Sequence, residues 1–117
     1  MEHRYSRRVD IGIKALVFRR GIPITLGVIR NASHGGLFIE MNIDEVRVNQ
    51  PIEIEFRLQS GGRSSRARVK TVVARVADDG IGLELAENDD KGYEALCALV
   101  DGFAMRERLR DVSVVGL

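Results

Sequence analysis

The chain has 117 residues, with 18 Lys+Arg against 17 Asp+Glu and a single cysteine, Cys97. That length supports one domain with a single modest core, and near-zero net charge excludes nucleic-acid or acidic-membrane binding driven by bulk charge. One cysteine excludes an internal disulfide and fits a reducing compartment.

The N-terminal stretch MEHRYSRR lacks the apolar core of a signal peptide, and no apolar run approaches transmembrane length, so a soluble cytoplasmic domain is expected. Residues 1–10 hold few apolar groups and are expected to form a flexible N-terminal strap. The barrel proper is expected over residues 11–87. It opens with IGIKALVF (11–18), rich in branched residues and apolar on both faces, as a central strand would be. A Gly- and Pro-punctuated turn, RRGIP, leads into ITLGVIR.

Next comes RNASHGGLFIE (30–40), in which six residues, Asn31 to Gly36, are small, polar or backbone-permissive before Leu37 and Ile39 resume an apolar alternation. A tight hairpin needs only about two residues, so this stretch predicts a roomy loop. PIEIEFRL (51–58) alternates cleanly, with Ile52, Ile54, Phe56 and Leu58 on one face. SGG (60–62) turns the chain into RSSRARVKTVVARV, whose apolar phase changes near Thr71–Val72 to Val72, Ala74 and Val76. Such a slip predicts a β-bulge, which helps a sheet bend towards closure. DDG (78–80) makes the next turn, and IGLEL (81–85) is the last strand. Six strands with short connections predict a mainly β, six-stranded antiparallel barrel.

After ENDD the period lengthens. Tyr93, Leu96, Cys97, Val100, Phe103 and Ala104 form one helical stripe, giving a C-terminal helix over 88–110 that closes the barrel's open mouth. Cys97 reads there as a small buried hydrophobe. Gly102 weakens the helix interior by about 1 kcal/mol relative to Ala and marks a place for a bend or an early end. Residues 111–117 form an apolar tail with no place in this plan, expected to pack on the barrel or in a dimer contact.

Catalytic patterns are scarce. His3 and His34 are far apart, no Cys or His spacing suits a metal, and no nucleophile elbow or phosphate-binding Gly-Lys run occurs. No enzyme activity and no cofactor are expected. The basic run Arg63 to Lys70 could bind phosphate, but charged side chains on the outer face of a strand also blunt edge pairing, and that reading is favoured.

Two features remain. RYSRR (4–8) places Arg4 and Arg8 on one side whether the segment is extended or helical. Two guanidinium forks on one side form a grip for a planar anionic ligand, since Arg reads the guanine O6/N7 edge with paired donors and stacks on bases. The second is Asn31-x-Ser33-x-x-Gly36. Asn31 and Ser33 offer short donor–acceptor side chains, while Gly35 and Gly36 allow a close approach to backbone. The plain alternatives are a floppy basic terminus and a self-bonded turn.

Arg-x-x-x-Arg followed by Asn-x-Ser-x-x-Gly on a small barrel resembles the PilZ domain family. NASHGGLFIE is similar to that family's second motif almost throughout, and DGIGLEL to its glycine-containing final strand. The resemblance covers roughly residues 3 to 103 and implies a PilZ-type split barrel that binds the bacterial second messenger cyclic di-GMP. It assigns Arg4 and Arg8 to the guanines and phosphates, and Asn31, Ser33 and Gly36 to the other side of the ligand. Arg7, Gly35 and Gly82 are additional candidate contacts. One departure stands at the start of the first motif, where members often carry two adjacent arginines and this chain has His3-Arg4. The resemblance further implies a stand-alone adaptor whose output passes through an effector protein or self-association as a homodimer. The effector would act in motility, exopolysaccharide export or signalling.

Two readings from other classes remain. One is a ligand-independent protein interaction module, against which the complete motifs argue. The other is an RNA or single-strand binder, for which 5% aromatics and no Trp give no stacking platform.

Overall fold

The computed structural model describes residues 7–42 and 46–115, with side chains through Arg110. Six strands precede one helix: β1 (Val9–Arg19), β2 (Ile22–Ser33), β3 (Gly36–Glu40), β4 (Pro51–Ser60), β5 (Arg63–Ala77), β6 (Gly80–Leu85) and α1 (Asp90–Val115). The strands pair antiparallel in the order β1-β2-β3-β6-β5-β4, and β1 returns to β4 to close the barrel. This is the six-stranded barrel with a C-terminal helix that the patterning predicts.

Alternation explains the core. Val17, Ile29, Ile39, Ile52, Ile54, Val69 and Val73 are all fully enclosed inside the barrel. Thr71 is a buried polar residue among them, and its hydroxyl donates to the Ile52 carbonyl at 2.7 Å, which satisfies it locally. The β4–β5 hairpin turns on Gly61-Gly62, both with positive φ, the geometry a two-residue turn with matching twist requires.

The bulge in β5 lies further along than the sequence suggests. Thr71 and Val73 point inward with Val69, and the register shifts between Val73 and Arg75 instead. Hydrophobicity alone misplaces the slip because Thr71, bonded to Ile52, occupies an inward site that an apolar residue would usually mark. Val72, Ala74 and Val76 are therefore not the inward set, and Val76 is half exposed.

The helix departs from expectation at both ends. Asn88 has a left-handed φ of 68°, so the helix begins only after Asp89, at Asp90. Asp89 caps it, accepting from Gly92 N at 3.1 Å with one oxygen and from Lys70 N of β5 at 2.8 Å with the other. One carboxylate thus both caps α1 and ties it to the barrel. At the far end the backbone stays helical through Val115, so a separate tail does not begin at residue 111. No Gly or Pro interrupts residues 111–115, and extending an existing helix requires none of the nucleation cost. How the tail side chains pack lies outside the described residues. Within the helix, Leu96, Leu99 and Val100 plug the barrel mouth. Leu99 thus joins the predicted stripe, whereas Tyr93 is partly exposed at its edge.

Candidate functional site

The expected six-residue loop is a strand end and a two-residue turn. β2 continues through Ser33, β3 begins at Gly36, and only His34 and Gly35 connect them. The extended course holds because Ala32 and Leu37, paired across the hairpin, are both core residues. Small polar residues are compatible with strand or turn, and burial of their neighbours decides.

Bulges aim the site. The β2–β3 register shifts between Ile29 and Asn31, so inward Ile29 is followed by inward Ala32, and Asn31 faces outward. The β5 shift similarly puts Arg75 opposite Gly82, which lies outward between inward Ile81 and Leu83. The registers then align one row across five strands: Arg75 on β5, Gly82 on β6, Phe38 on β3, Asn31 on β2 and Asp10 on β1. All five line a single open cleft of about 600 Å³, together with Arg8, which directly precedes β1.

Two arginines line this cleft. Arg8 Nε donates to Asn31 Oδ1 at 2.8 Å. The Arg75 guanidinium lies 5.3 Å from the centre of the Phe38 ring, with its stem passing over Gly82. A Cβ on Gly82 would meet Arg75 Cγ at 3.0 Å, so the glycine makes room for that path. Partial burial, and then the like charge of Arg75, hold the Arg8 guanidinium below its ordinary pKa. Arginine remains a cation at physiological pH nonetheless. Among the described residues neither Arg8 nor Arg75 has an ion-pair partner within 4.0 Å. Two cations without ion pairs, an aromatic face and an amide suit an anionic ligand with planar groups, beside the Asp10 and Glu84 carboxylates that also line the cleft.

The structure thus brings together Arg8, Asn31 and Gly82 of the predicted residues. Ser33 stays close in sequence but is buried, and its Oγ accepts from Gly35 N at 3.3 Å, closing the turn. Gly36 has no left-handed φ; it is pressed against the Leu83 carbonyl of β6, where any Cβ would collide with backbone. Gly35 reaches β6 too, its carbonyl accepting from Leu85 N at 3.1 Å. Arg7 points away, 3.6 Å from Glu107 of α1. Arg4 lies outside the described residues. Arg75 and Phe38 are the residues that sequence reasoning missed. The phase change in β5 was the available signal for Arg75, but only the register shows which residue it presents.

The sequence matches the PilZ domain family over residues 2–102. The chain belongs to the PilZ family. Its members are in general cyclic di-GMP receptors, binding rather than catalytic domains. No curated protein matches the chain. Two solved structures share the fold. The PilZ domain of CeSA from a cellulose-synthesizing bacterium is 23% identical with a TM-score of 0.68, over 83% of this chain and 97% of that one. The Bacillus subtilis inhibitor of motility, MotI/DgrA, is 17% identical with a TM-score of 0.68. That match covers 92% of this PilZ chain but spans only 52% of MotI/DgrA. Among the described residues no helix is long and apolar enough to cross a membrane, and no cluster of three or more metal-ligating side chains occurs.

Proposed function

We propose that this PilZ protein is a receptor that binds cyclic di-GMP in the cleft over the Arg75–Gly82–Phe38–Asn31 row. The observation that carries this reading is that two guanidinium groups, Arg8 and Arg75, line one cleft without an ion-pair partner among the described residues, the first bonded to the neutral amide of Asn31. Bringing like charges together costs free energy in the empty protein, and a bound phosphodiester offsets it. Arg8 supplies a fork that can serve a guanine O6/N7 edge or a phosphate, and Arg4 of the same motif would complete the clamp. Phe38 and Arg75 offer flat faces for a base. The cleft volume falls within the roughly 300–1,000 Å³ typical of small-molecule sites. No cofactor is needed for this task.

The route of output is through α1. Both motif segments touch that helix: Arg7 approaches Glu107, and His34 Nε2 lies 2.8 Å from Asp101 Oδ1. A ligand that draws Arg7 and the β2–β3 hairpin towards the cleft changes both contacts, so the helix registers occupancy and presents it to an effector protein. Motility, exopolysaccharide export and a signalling enzyme are the effector classes this adaptor role fits, and the cytoplasm is the compartment where the ligand is met.

Calorimetry with cyclic di-GMP, with cyclic di-AMP and GTP as controls, tests the reading. Saturable binding of cyclic di-GMP and weak or no binding of the controls is expected. Absence of binding would leave the ligand-independent interaction module as the function.

A further inference from the structure

Helix α1 carries a second apolar stripe on its exposed side, where Ala98 and Gly102 border the groove to Ile13 and Leu58 and Met105 and Leu109 stand clear of it. Ala98, Gly102, Met105 and Leu109 follow one another at spacings of four, three and four, and all four are exposed. They lie opposite Leu96, Val100 and Phe103, which face the barrel. A spacing alternating between three and four is the seam of a two-helix contact.

Gly102 is the telling position. Its φ is not left-handed, and a Cβ there would meet nothing within 4 Å, so nothing within the described chain requires glycine in the middle of this helix. A second helix approaching closely would require it. The stripe is also graded, with small Ala98 and Gly102 at one end and large Met105 and Leu109 at the other. Turned end for end about a two-fold axis, a second copy sets its Leu109 on Ala98 and its Met105 on Gly102. The same rotation sets the second copy's Arg108 on the flank that carries Asp101, and the reverse, beside the Asp101–His34 contact. Parallel alignment would instead oppose Met105 with Met105 and Leu109 with Leu109, so the bulky end would hold the small end apart.

We infer that the outer face of α1 is a homodimer interface, with two α1 helices antiparallel across the Ala98–Leu109 stripe. It shares Asp101 with the proposed output route but does not rest on nucleotide binding. The self-complementary patch is what an isologous two-fold contact requires. Twelve residues make a seam only about 17 Å long, so the dimer is expected to be reversible rather than permanent.

Sedimentation equilibrium of the full chain, from low micromolar to about 0.5 mM, is the first measurement, since mass action must show in the apparent mass. The wild type should move from monomer to dimer. Leu109→Glu buries a charge in the seam and should weaken association at least about a hundredfold. Gly102→Leu should also prevent dimerisation, while circular dichroism shows an equal or higher melting temperature, because leucine favours helix and has open space there. Register is tested by oxidation on a Cys97→Ala background. A mixture of Ala98→Cys and Leu109→Cys chains should form a mixed disulfide dimer, and Ala98→Cys alone should not. A wild type monomeric at every concentration, a dimer that survives Leu109→Glu, or an efficient Ala98→Cys homodisulfide would each overturn the inference.

Discussion

Two walls of the barrel each set an arginine over an aromatic ring, and they treat the charge in opposite ways. Where β1, β4 and β5 meet, Arg68 lies 3.9 Å from the centre of the Phe18 ring and bonds Glu55 at 2.8 Å and Glu53 at 3.3 Å. Arg66 joins the same network at 3.4 Å from Glu55. The Glu55 bond, followed by that to Glu53, outweighs desolvation and raises the Arg68 pKa. On the other wall Arg75 lies over Phe38, and its neighbour in the cleft is another arginine, whose pKa falls. The first wall neutralises its cations internally. Among the described residues the second holds Arg8 and Arg75 outside any ion pair within 4.0 Å, although Asp10 and Glu84 line the same cleft, and so leaves both guanidinium groups open to an anion. Arg66 and Arg68 of the basic run 63–70 thereby form rungs of a cross-strand ladder with Glu53 and Glu55.

The sharpest test converts the second wall into the first. Arg75→Glu would give Arg8 a carboxylate partner and place a negative charge where the phosphodiester is proposed to lie. Affinity for cyclic di-GMP should fall by at least about a hundredfold, roughly 3 kcal/mol. The melting temperature should hold or rise, since a like-charge contact is replaced by an opposite one. Near-wild-type affinity would remove Arg75 from the binding reading.

Arg8→Lys asks whether shape matters beyond charge. Lysine keeps the cation but lacks the fork and the flat face. It should lose most of what Arg8→Ala loses, about 1–3 kcal/mol or roughly ten- to a hundredfold. If charge alone acts, Arg8→Lys binds like wild type and affinity collapses with salt, so calorimetry at two ionic strengths separates the two.

The sequence makes the first wall more legible than the second. Alternation in 51–58 exposes Glu53 and Glu55 on one face, and the Arg66, Arg68 and Lys70 alternation faces them across a regular register. No bulge intervenes between those partners, so a period of two suffices. The cleft depends on bulges between Ile29 and Asn31 and between Val73 and Arg75, which only cross-strand pairing locates. Asn31 and Arg8 were visible as motif residues, because short polar and fork-shaped side chains announce their chemistry. Phe38 and Arg75 were not, since their shared face is created by strands that meet through β6. The extent of α1 was obscured by its arginine-rich turn, which reads as a helix end although the backbone continues to Val115.

Two glycines in or beside the row sharpen the distinction between fold and site. At Gly36 an added Cβ collides with the Leu83 carbonyl, which is part of a strand and cannot give. Gly36→Ala should therefore destabilise the protein by about 1–3 kcal/mol in denaturant titration. At Gly82 the obstacle is the flexible stem of Arg75. Gly82→Ala should leave stability nearly unchanged and weaken ligand binding several-fold by displacing that arginine. Equal loss of stability in both variants would mean that Gly82 serves packing, as Gly36 does.

The smallest expected effect is the one on which the comparison rests. Arg68→Ala removes a cation from the same strand that carries Arg75, so any account based on the overall positive field of β5 predicts weaker cyclic di-GMP binding. The geometry predicts otherwise. Arg68 is held by Glu53 and Glu55 over Phe18, and its charge is cancelled where it stands. What remains of its field at the cleft is screened over about 8–10 Å at ordinary salt. Affinity should stay within about twofold of wild type at both low and physiological ionic strength. The melting temperature should drop slightly, as two carboxylates lose their shared partner and Phe18 loses its cover. A clear loss of affinity that disappears in high salt would show that the two walls act through one common field.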